Sequence, residues 1–247
     1  MSDLRELLGR PTLEAARGLL GARLIREGPT GGQEPIERRE GRIVELEAYI
    51  GEDDRASHAR FGRTARNAVM YGPPGVAYVY LVYGMYDCLN IVTEPAGRPA
   101  ALLVRAVEPL AGVDAMRAAR LERWATRRRS AEDAARAAEA ARLAALPDAR
   151  VASGPGLVAA AFDLDRNLTG LDLLDPAAAV RLEARPGGEP APRMTAGPRV
   201  GIAYAGSPWT EMPWRLWITG HASVSGPSRG EAGSMPGTRG RGRPGGG

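Results

Sequence analysis

The sequence predicts a single domain of mixed α+β class, and three observations lead there. Several short runs alternate apolar and polar residues with the two-residue period of a strand, among them Arg42–Ile50, Val76–Tyr83, Tyr86–Thr93 and Ala100–Val107. Helical spacing is confined to other stretches, near the N-terminus and in an Ala/Arg/Glu-rich segment after residue 113. The chain has 247 residues, enough for one sizeable core, and its last twenty or so are too poor in apolar residues to join it.

Pro11 opens a helix through Leu20, with Leu13, Ala16, Leu19 and Leu20 at helical spacing and Gly21 as its stop. Ala22–Arg26 reads as a short strand, and Gly28–Glu40, with Pro29 and paired glycines, as a loop or hairpin. From Arg42 to Ile50 strand alternation puts Val44, Leu46, Ala48 and Ile50 on one face, and Ile43, Glu45, Glu47 and Tyr49 on the other. The second face is either an exposed strand face or a strand end opening onto a cleft. Gly51–Tyr71 reads as loop, in which acidic residues 52–54 give way to Arg55, Arg60, Arg63 and Arg66 around His58. Such a run is a solvated surface or a loop laid along phosphates.

Pro73-Pro74-Gly75 marks a turn into two strands, Val76–Tyr83 and Tyr86–Thr93. Four of the seven tyrosines, Tyr78, Tyr80, Tyr83 and Tyr86, fall in this hairpin, and Tyr83 at its tip is badly placed to be core. In the next strand, Ala100–Val107, Arg105 sits in an aliphatic run and needs a paired acid or a ligand, Glu47 and Glu108 being the nearest acids in character. Val113–Ala145 predicts two solvated helices with Ser130 as a cap between them. Arg127–Arg129 could meet phosphate, although a helix surface explains them more simply. Ser153–Gly156 starts a short helix through Phe162, and further strands are expected at Leu171–Leu174, Val180–Ala184, Val200–Tyr204 and Trp214–Thr219. The Gly/Pro/Ser/Arg tail, 226–247, is expected to be disordered.

Composition narrows the chemistry. The single cysteine, Cys88, excludes an internal disulfide, and with only His58 and His221 beside it no metal site and no cofactor are expected. The N-terminus lacks an apolar signal core and no run is long enough to span a bilayer, so a soluble, cytoplasmic protein with no membrane partner is expected. The formal charge of +4 is mostly tail: four arginines against one acid there leave a body of +1, so any electrostatic footprint is local. All 33 basic side chains are arginines. Without lysine, the N-terminal amine is the only group able to form a Schiff base.

Six stretches taken together resemble one family: RIVELEAYIG (42–51), SHARFGRTARN (57–67), PPGVAYVYLVYGMYDCLN (73–90), LLVRAVEP (102–109), SGPG (153–156) and PRVGIAYAG (198–206). With Leu13–Leu24 and PWRLWITG (213–220) they are similar to the single-domain alkyladenine (3-methyladenine) DNA glycosylases over roughly residues 10–225. The Ala/Arg-rich excursion at 114–150 and the Gly/Arg tail depart from that pattern. The resemblance implies a curved, mainly antiparallel sheet carrying a DNA-facing hairpin and surrounded by helices. It implies a glycosylase domain over 1–225 that acts as a monomer on double-stranded DNA containing damaged purines, in a bacterial, nucleoid-associated setting.

It also assigns roles. Glu47 would activate water for attack at the anomeric carbon, with Arg105 holding the water and the carboxylate. Tyr49, His58, Tyr80 and Asn90 would form the base pocket, Asn90 crowding the amino group of normal guanine. Tyr83 would intercalate where the base leaves the stack, and Arg63, Arg66 and Met70 would contact the DNA backbone. The absence of lysine agrees with a water nucleophile and a monofunctional enzyme. Two other readings compete: a binding module without catalysis, and a carbohydrate glycosidase using Glu45 and Glu47, which lie about 7 Å apart along one strand face.

Overall fold

The computed structural model describes residues 4–28, 37–82, 84–128 and 133–226. Its strands are β1 (Arg23–Gly28), β2 (Glu37–Ile50), β3 (Ala77–Val82), β4 (Tyr86–Val92), β5 (Ala100–Ala111), β6 (Val180–Glu183), β7 (Met194–Gly197) and β8 (Arg215–Ile218). The α-helices are α1 (Leu4–Leu8), α2 (Thr12–Leu19), α3 (Val113–Arg127), α4 (Asp133–Ala144) and α5 (Pro155–Ala161). All eight strands join one antiparallel sheet in the order β3-β4-β5-β2-β1-β6, with β8 pairing β2 and β7 pairing β8. No helix among the described residues is long and apolar enough to cross a membrane.

Strand β2 organises the rest. Along one edge it pairs with β5 over nearly its whole length; along the other it pairs first with β1 and then, at Glu45–Glu47, with β8. The two glutamates therefore sit in the interior of the sheet, between strands. Leu46 and Ala48 point into the main core with Leu102, Val104 and Val107 of β5, packed against Ala15, Ala16 and Leu19 of α2 and Val158, Ala159 and Ala161 of α5. By the two-residue period, Glu45, Glu47 and Tyr49 face the opposite way.

The simple alternation expected from Arg42 breaks at one point. The β2–β5 register slips on either side of Glu45, passing over Val44 on β2 and then Arg105 on β5, and the bulge at Val44 turns Ile43 into the main core beside Leu46. The strand also begins at Glu37, earlier than the apolar pattern suggests, because Glu37–Arg42 pair with β1 in a polar hairpin. Leu171–Leu174 is not a strand: it makes one isolated bridge, Val76 with Asp172. Val200–Tyr204 is not one either, since the Val200 N–H goes to a carboxylate and the chain then closes a 3-10 turn at Ala203–Ala205. Helix α1 and strand β7 were not expected; β7 is largely exposed and has no apolar period to announce it. Ser130, Tyr83 and the tail from 227 onward lie outside the described residues.

Candidate active site

Cross-strand partners share a face, and one row runs across five strands: Tyr78 opposite Asn90, Asn90 opposite Leu103, Leu103 opposite Glu47, and Glu47 opposite Arg215. The neighbouring row holds Tyr49 opposite Ala101. A methyl group at 101, where a larger side chain would fill the face, leaves a small recess of about 50 Å³ lined by Tyr49, His58, Met70, Tyr78, Tyr80 and Asn90. It adjoins a cavity of about 430 Å³ walled by Glu47, Tyr49, His58, Tyr80 and Arg105, among others. The antiparallel register thus gathers Glu47, Arg105, Tyr49, His58, Tyr80 and Asn90 around one hollow. Tyr83 lies outside the described residues.

Both glutamates are fully buried, and both are satisfied by side chains or amides. Glu47 Oε1 accepts the Val200 N–H at 2.7 Å, and Oε2 accepts the Tyr49 hydroxyl at 3.0 Å and lies 3.2 Å from Arg105 Nη1. Burial raises the Glu47 pKa above the ordinary carboxylate value, while Arg105, the Val200 amide and Tyr49 pull the other way. Arg105 stays charged: burial works against the cation, but Glu47 and Glu45 together raise its pKa. Its Nε donates to Glu45 Oε1 at 2.9 Å and its Nη2 to Ser225 Oγ at 3.1 Å. The second acid of Arg105 is therefore Glu45, and the expected Glu108 instead lies 3.4 Å from Arg42 and 3.3 Å from His221. The bulge at Val44 places Glu45 opposite Ala106, next to Arg105.

Glu45 has its own set of donors. Arg215 Nε reaches Oε1 at 2.6 Å and the Ser225 N–H reaches Oε2 at 2.6 Å, which ties the end of the described chain to the sheet beneath the site. Sequence reasoning missed Arg215 and Ser225, because partners some 170 residues away carry no local signal. It also missed the Arg199–Asp54 pair, both fully buried, with Nη1 to Oδ2 at 2.6 Å and Nη2 to Oδ1 at 2.9 Å. The Arg199 guanidinium lies between the rings of Tyr49 and Trp214, 4.8 and 4.9 Å from their centroids. Since Val200 follows it directly, this pair fixes both the Tyr49 ring and the amide on Glu47.

The aromatic wall is well ordered by its own contacts. His58 Nδ1 and the Tyr78 hydroxyl are 2.8 Å apart, and the imidazole meets Tyr80 edge-on at 4.3 Å between centroids. Burial, then Arg66 and Arg60, lower the His58 pKa to about 4, so the ring is neutral at physiological pH. Burial also raises the pKa of Tyr49 and Tyr80, keeping both phenols protonated. Asn90 is buried with Nδ2 donating to the carbonyls of Tyr78 at 3.1 Å and Cys88 at 3.4 Å, which fixes its amide. Exposed Arg63 and Arg66 stand on the loop beside the cavity, Arg63 near the Tyr71 ring and Arg66 at the cavity rim. Met70 lies deeper than these two: its side chain is buried in the recess wall and its N–H is taken by the Asn67 carbonyl.

The hollow therefore offers stacking surfaces, a neutral imidazole and one carboxylate paired with a guanidinium. A protein of Methanocella arvoryzae, provisionally named 3-methyladenine DNA glycosylase, is 42% identical over 90% of this chain and 94% of its own length. Provisionally so-named proteins of Myxococcus xanthus and Streptomyces avermitilis are 43% and 40% identical, over 87% and 90% of this chain and 89% of their own length each. Residues 6–222 match the family described as Methylpurine-DNA glycosylase, and on that match and these relatives the chain belongs to that family.

Proposed function

We propose that this chain, through a glycosylase domain spanning 1–225, takes alkylated or deaminated purines out of double-stranded DNA and hydrolyses their N-glycosidic bond with an activated water. The product is an abasic site in an uncut strand. The observation that carries the reading is the buried Glu47–Arg105 pair set into the wall of an aromatic hollow. A base must leave the duplex to reach such a wall, at a cost of roughly a few kcal/mol, and stacking on aromatic rings returns about 1–3 kcal/mol per contact.

Tyr49 stacks on the extruded purine, with Tyr80 and His58 completing the pocket. A ring nitrogen carrying an alkyl group makes the base cationic, which strengthens its attraction to the aromatic faces and makes it a better leaving group. Asn90, held by two carbonyls, crowds the exocyclic amino group of guanine and so rejects a normal base by clash. Glu47 takes the proton of the attacking water, and Arg105 holds the carboxylate and the water in place. General-base action of this kind is worth about 10²–10⁴ in rate. Tyr83 fills the gap in the stack, and Arg63 and Arg66 steady the backbone. The enzyme works as a monomer on the nucleoid.

Release of free base from a panel of duplexes bearing single 3-methyladenine, 7-methylguanine, hypoxanthine or ethenoadenine residues tests this reading. Release from at least one, with alkali-labile sites and no prior strand cut, is expected. Tight binding to every duplex with release from none would instead leave a non-catalytic binding module.

A further inference from the structure

A second groove, about 580 Å³, lies between the turn of the β3–β4 hairpin, α3 and the first turn of α5, with the end of α4 along one side. Five arginines and one carboxylate line it. Two of the arginines are neutralised: Arg123 by Asp87 at 2.7 Å and Asp163 at 3.4 Å, and Arg142 by Glu139 at 2.6 Å. Arg120, Arg127 and Arg128 have no carboxylate within ion-pair distance among the described residues. Of the three, Arg120 is buried and donates to the Val151 carbonyl at 2.8 Å, whereas Arg127 and Arg128 are exposed, on a body whose formal charge is close to neutral.

Two of these cations are oriented by rings. The Arg127 guanidinium lies 4.9 Å from the centroid of Tyr86, and Arg128 lies 4.8 Å from that of Trp124. Tyr86 is itself seated against Gly156, where an added Cβ would come within 2.9 Å of the ring. A guanidinium held flat on a ring keeps its edge N–H groups free, the geometry that suits bidentate contact with phosphate oxygens.

The groove also adjoins the base cavity. Val82 and Pro155 line the cavity; Gly84 and Gly156, two residues and one residue further along, line the groove. A strand that delivers a nucleotide to the cavity must lay its neighbouring phosphates on the surfaces bordering it. We propose that Arg127 and Arg128, presented by Tyr86 and Trp124, form a second seat for the phosphate backbone of duplex DNA, across the hairpin from Arg63 and Arg66. This rests on the DNA glycosylase reading above and adds to it a contact made by the helical excursion.

The test is equilibrium binding of the full chain to a lesion-bearing duplex across a range of salt, with single-turnover base release measured at saturating enzyme. Each phosphate contact contributes about 0.9 to the slope of log K against log salt. R127Q/R128Q should flatten the slope by about 2 and leave the saturated release rate unchanged; R127K/R128K, which keeps the charge, should restore the slope. An unchanged slope in R127Q/R128Q overturns the proposal, as does a slope lost equally in the lysine variant, which would mark the arginines as packing groups. Tight binding of inorganic phosphate that responds to R127Q/R128Q, with no change in the duplex slope, would mean a small-anion site and also overturn it. Failure of the wild type to release any base, with the slope difference intact, would count against the glycosylase reading alone.

Discussion

Replacing Glu47 by Gln keeps the side chain's volume and removes its charge, which separates catalysis from folding. The amide oxygen can still accept the Val200 N–H now bonded at 2.7 Å. The amide nitrogen would face Arg105 Nη1, now 3.2 Å from Oε2, so one ion pair is lost. Arg105 is not abandoned, because Glu45 at 2.9 Å and Ser225 at 3.1 Å still hold it. Breaking a buried pair outright costs about 3–5 kcal/mol, and retention of the second acid, together with relief from burying the Glu47 charge, should keep the net loss under about 3 kcal/mol. At 2–4 °C per kcal/mol for a chain of this size, the melting temperature should fall by less than about 12 °C. Loss of the general base should slow bond cleavage by about 10²–10⁴-fold, or about 3–5 kcal/mol in the barrier. Affinity for duplex should hold or rise, since an acid near phosphate has been removed. The assay is single-turnover release from a duplex with one damaged purine, scored by alkaline cleavage, beside duplex binding and thermal melting. Release within tenfold of wild type would refute the assignment of Glu47 as the base; loss of duplex binding in a variant that still melts normally would refute it too.

Three further outcomes follow from the same geometry. Glu45→Ala leaves the buried Arg215 guanidinium without its carboxylate and Arg105 with Glu47 alone, and should cost about 3–5 kcal/mol in urea unfolding; a change below 1 kcal/mol would mean the cluster relaxes without it. The His58 pKa of about 4 lies below its ordinary 6.5, so between those pH values the unfolded chain binds a proton that the folded chain does not. Stability should therefore fall as pH drops from 6.5 toward 4, by up to about 1.4 kcal/mol per pH unit at the steepest, and His58→Asn should reduce that slope; identical pH profiles for the two proteins would contradict it. Burial pushes the Cys88 thiol up to about 12, so iodoacetamide at pH 8 should modify the folded protein at least about 100-fold more slowly than the urea-unfolded chain, and labelling at equal rates would show the site to be open.

What the sequence made legible was whatever its local period encodes. The β3–β4 hairpin, the helix after Pro11 and the placing of Glu47 and Tyr49 on one strand face all follow from spacing alone. The bulge at Val44 was not legible, because the residues around it keep strand character and only the partner strand reveals the extra residue. The aliphatic run around Arg105 calls for an acid, and of the two that the sequence offers Glu47 pairs with it while Glu108 does not; the second acid is Glu45, brought beside it by that same bulge. Arg199 and Arg215 were invisible for a different reason. Each is one arginine among 33, and what distinguishes them is burial against Asp54 and Glu45, which depends on contacts spanning more than 140 residues. Val200 shows how pattern can mislead: its segment alternates like a strand, but its amide serves a carboxylate and leaves the ladder.

Glu45 and Glu47 are chemically identical and two residues apart on the same face, so their different standing is set by their surroundings. Glu45 accepts from two guanidiniums and an amide and does not line the hollow, which leaves it a structural anchor for β8 and the segment at Ser225. Glu47 shares a single guanidinium, borders the hollow, and has Oε2 covered by the Tyr49 hydroxyl. With no accessible surface, that carboxylate meets water only if the hydroxyl or its ring shifts. Tyr49 is also the ring on which the purine stacks in the function proposed here, and Arg199 braces it next to Trp214. One side chain thus links recognition to activation: whatever presses on the Tyr49 ring bears on the hydrogen bond that covers the base. A non-catalytic DNA-binding domain would have no use for a sealed acid at that position, and a carbohydrate glycosidase would need Glu45 free as the second carboxylate. The two guanidiniums on Glu45 deny it that role.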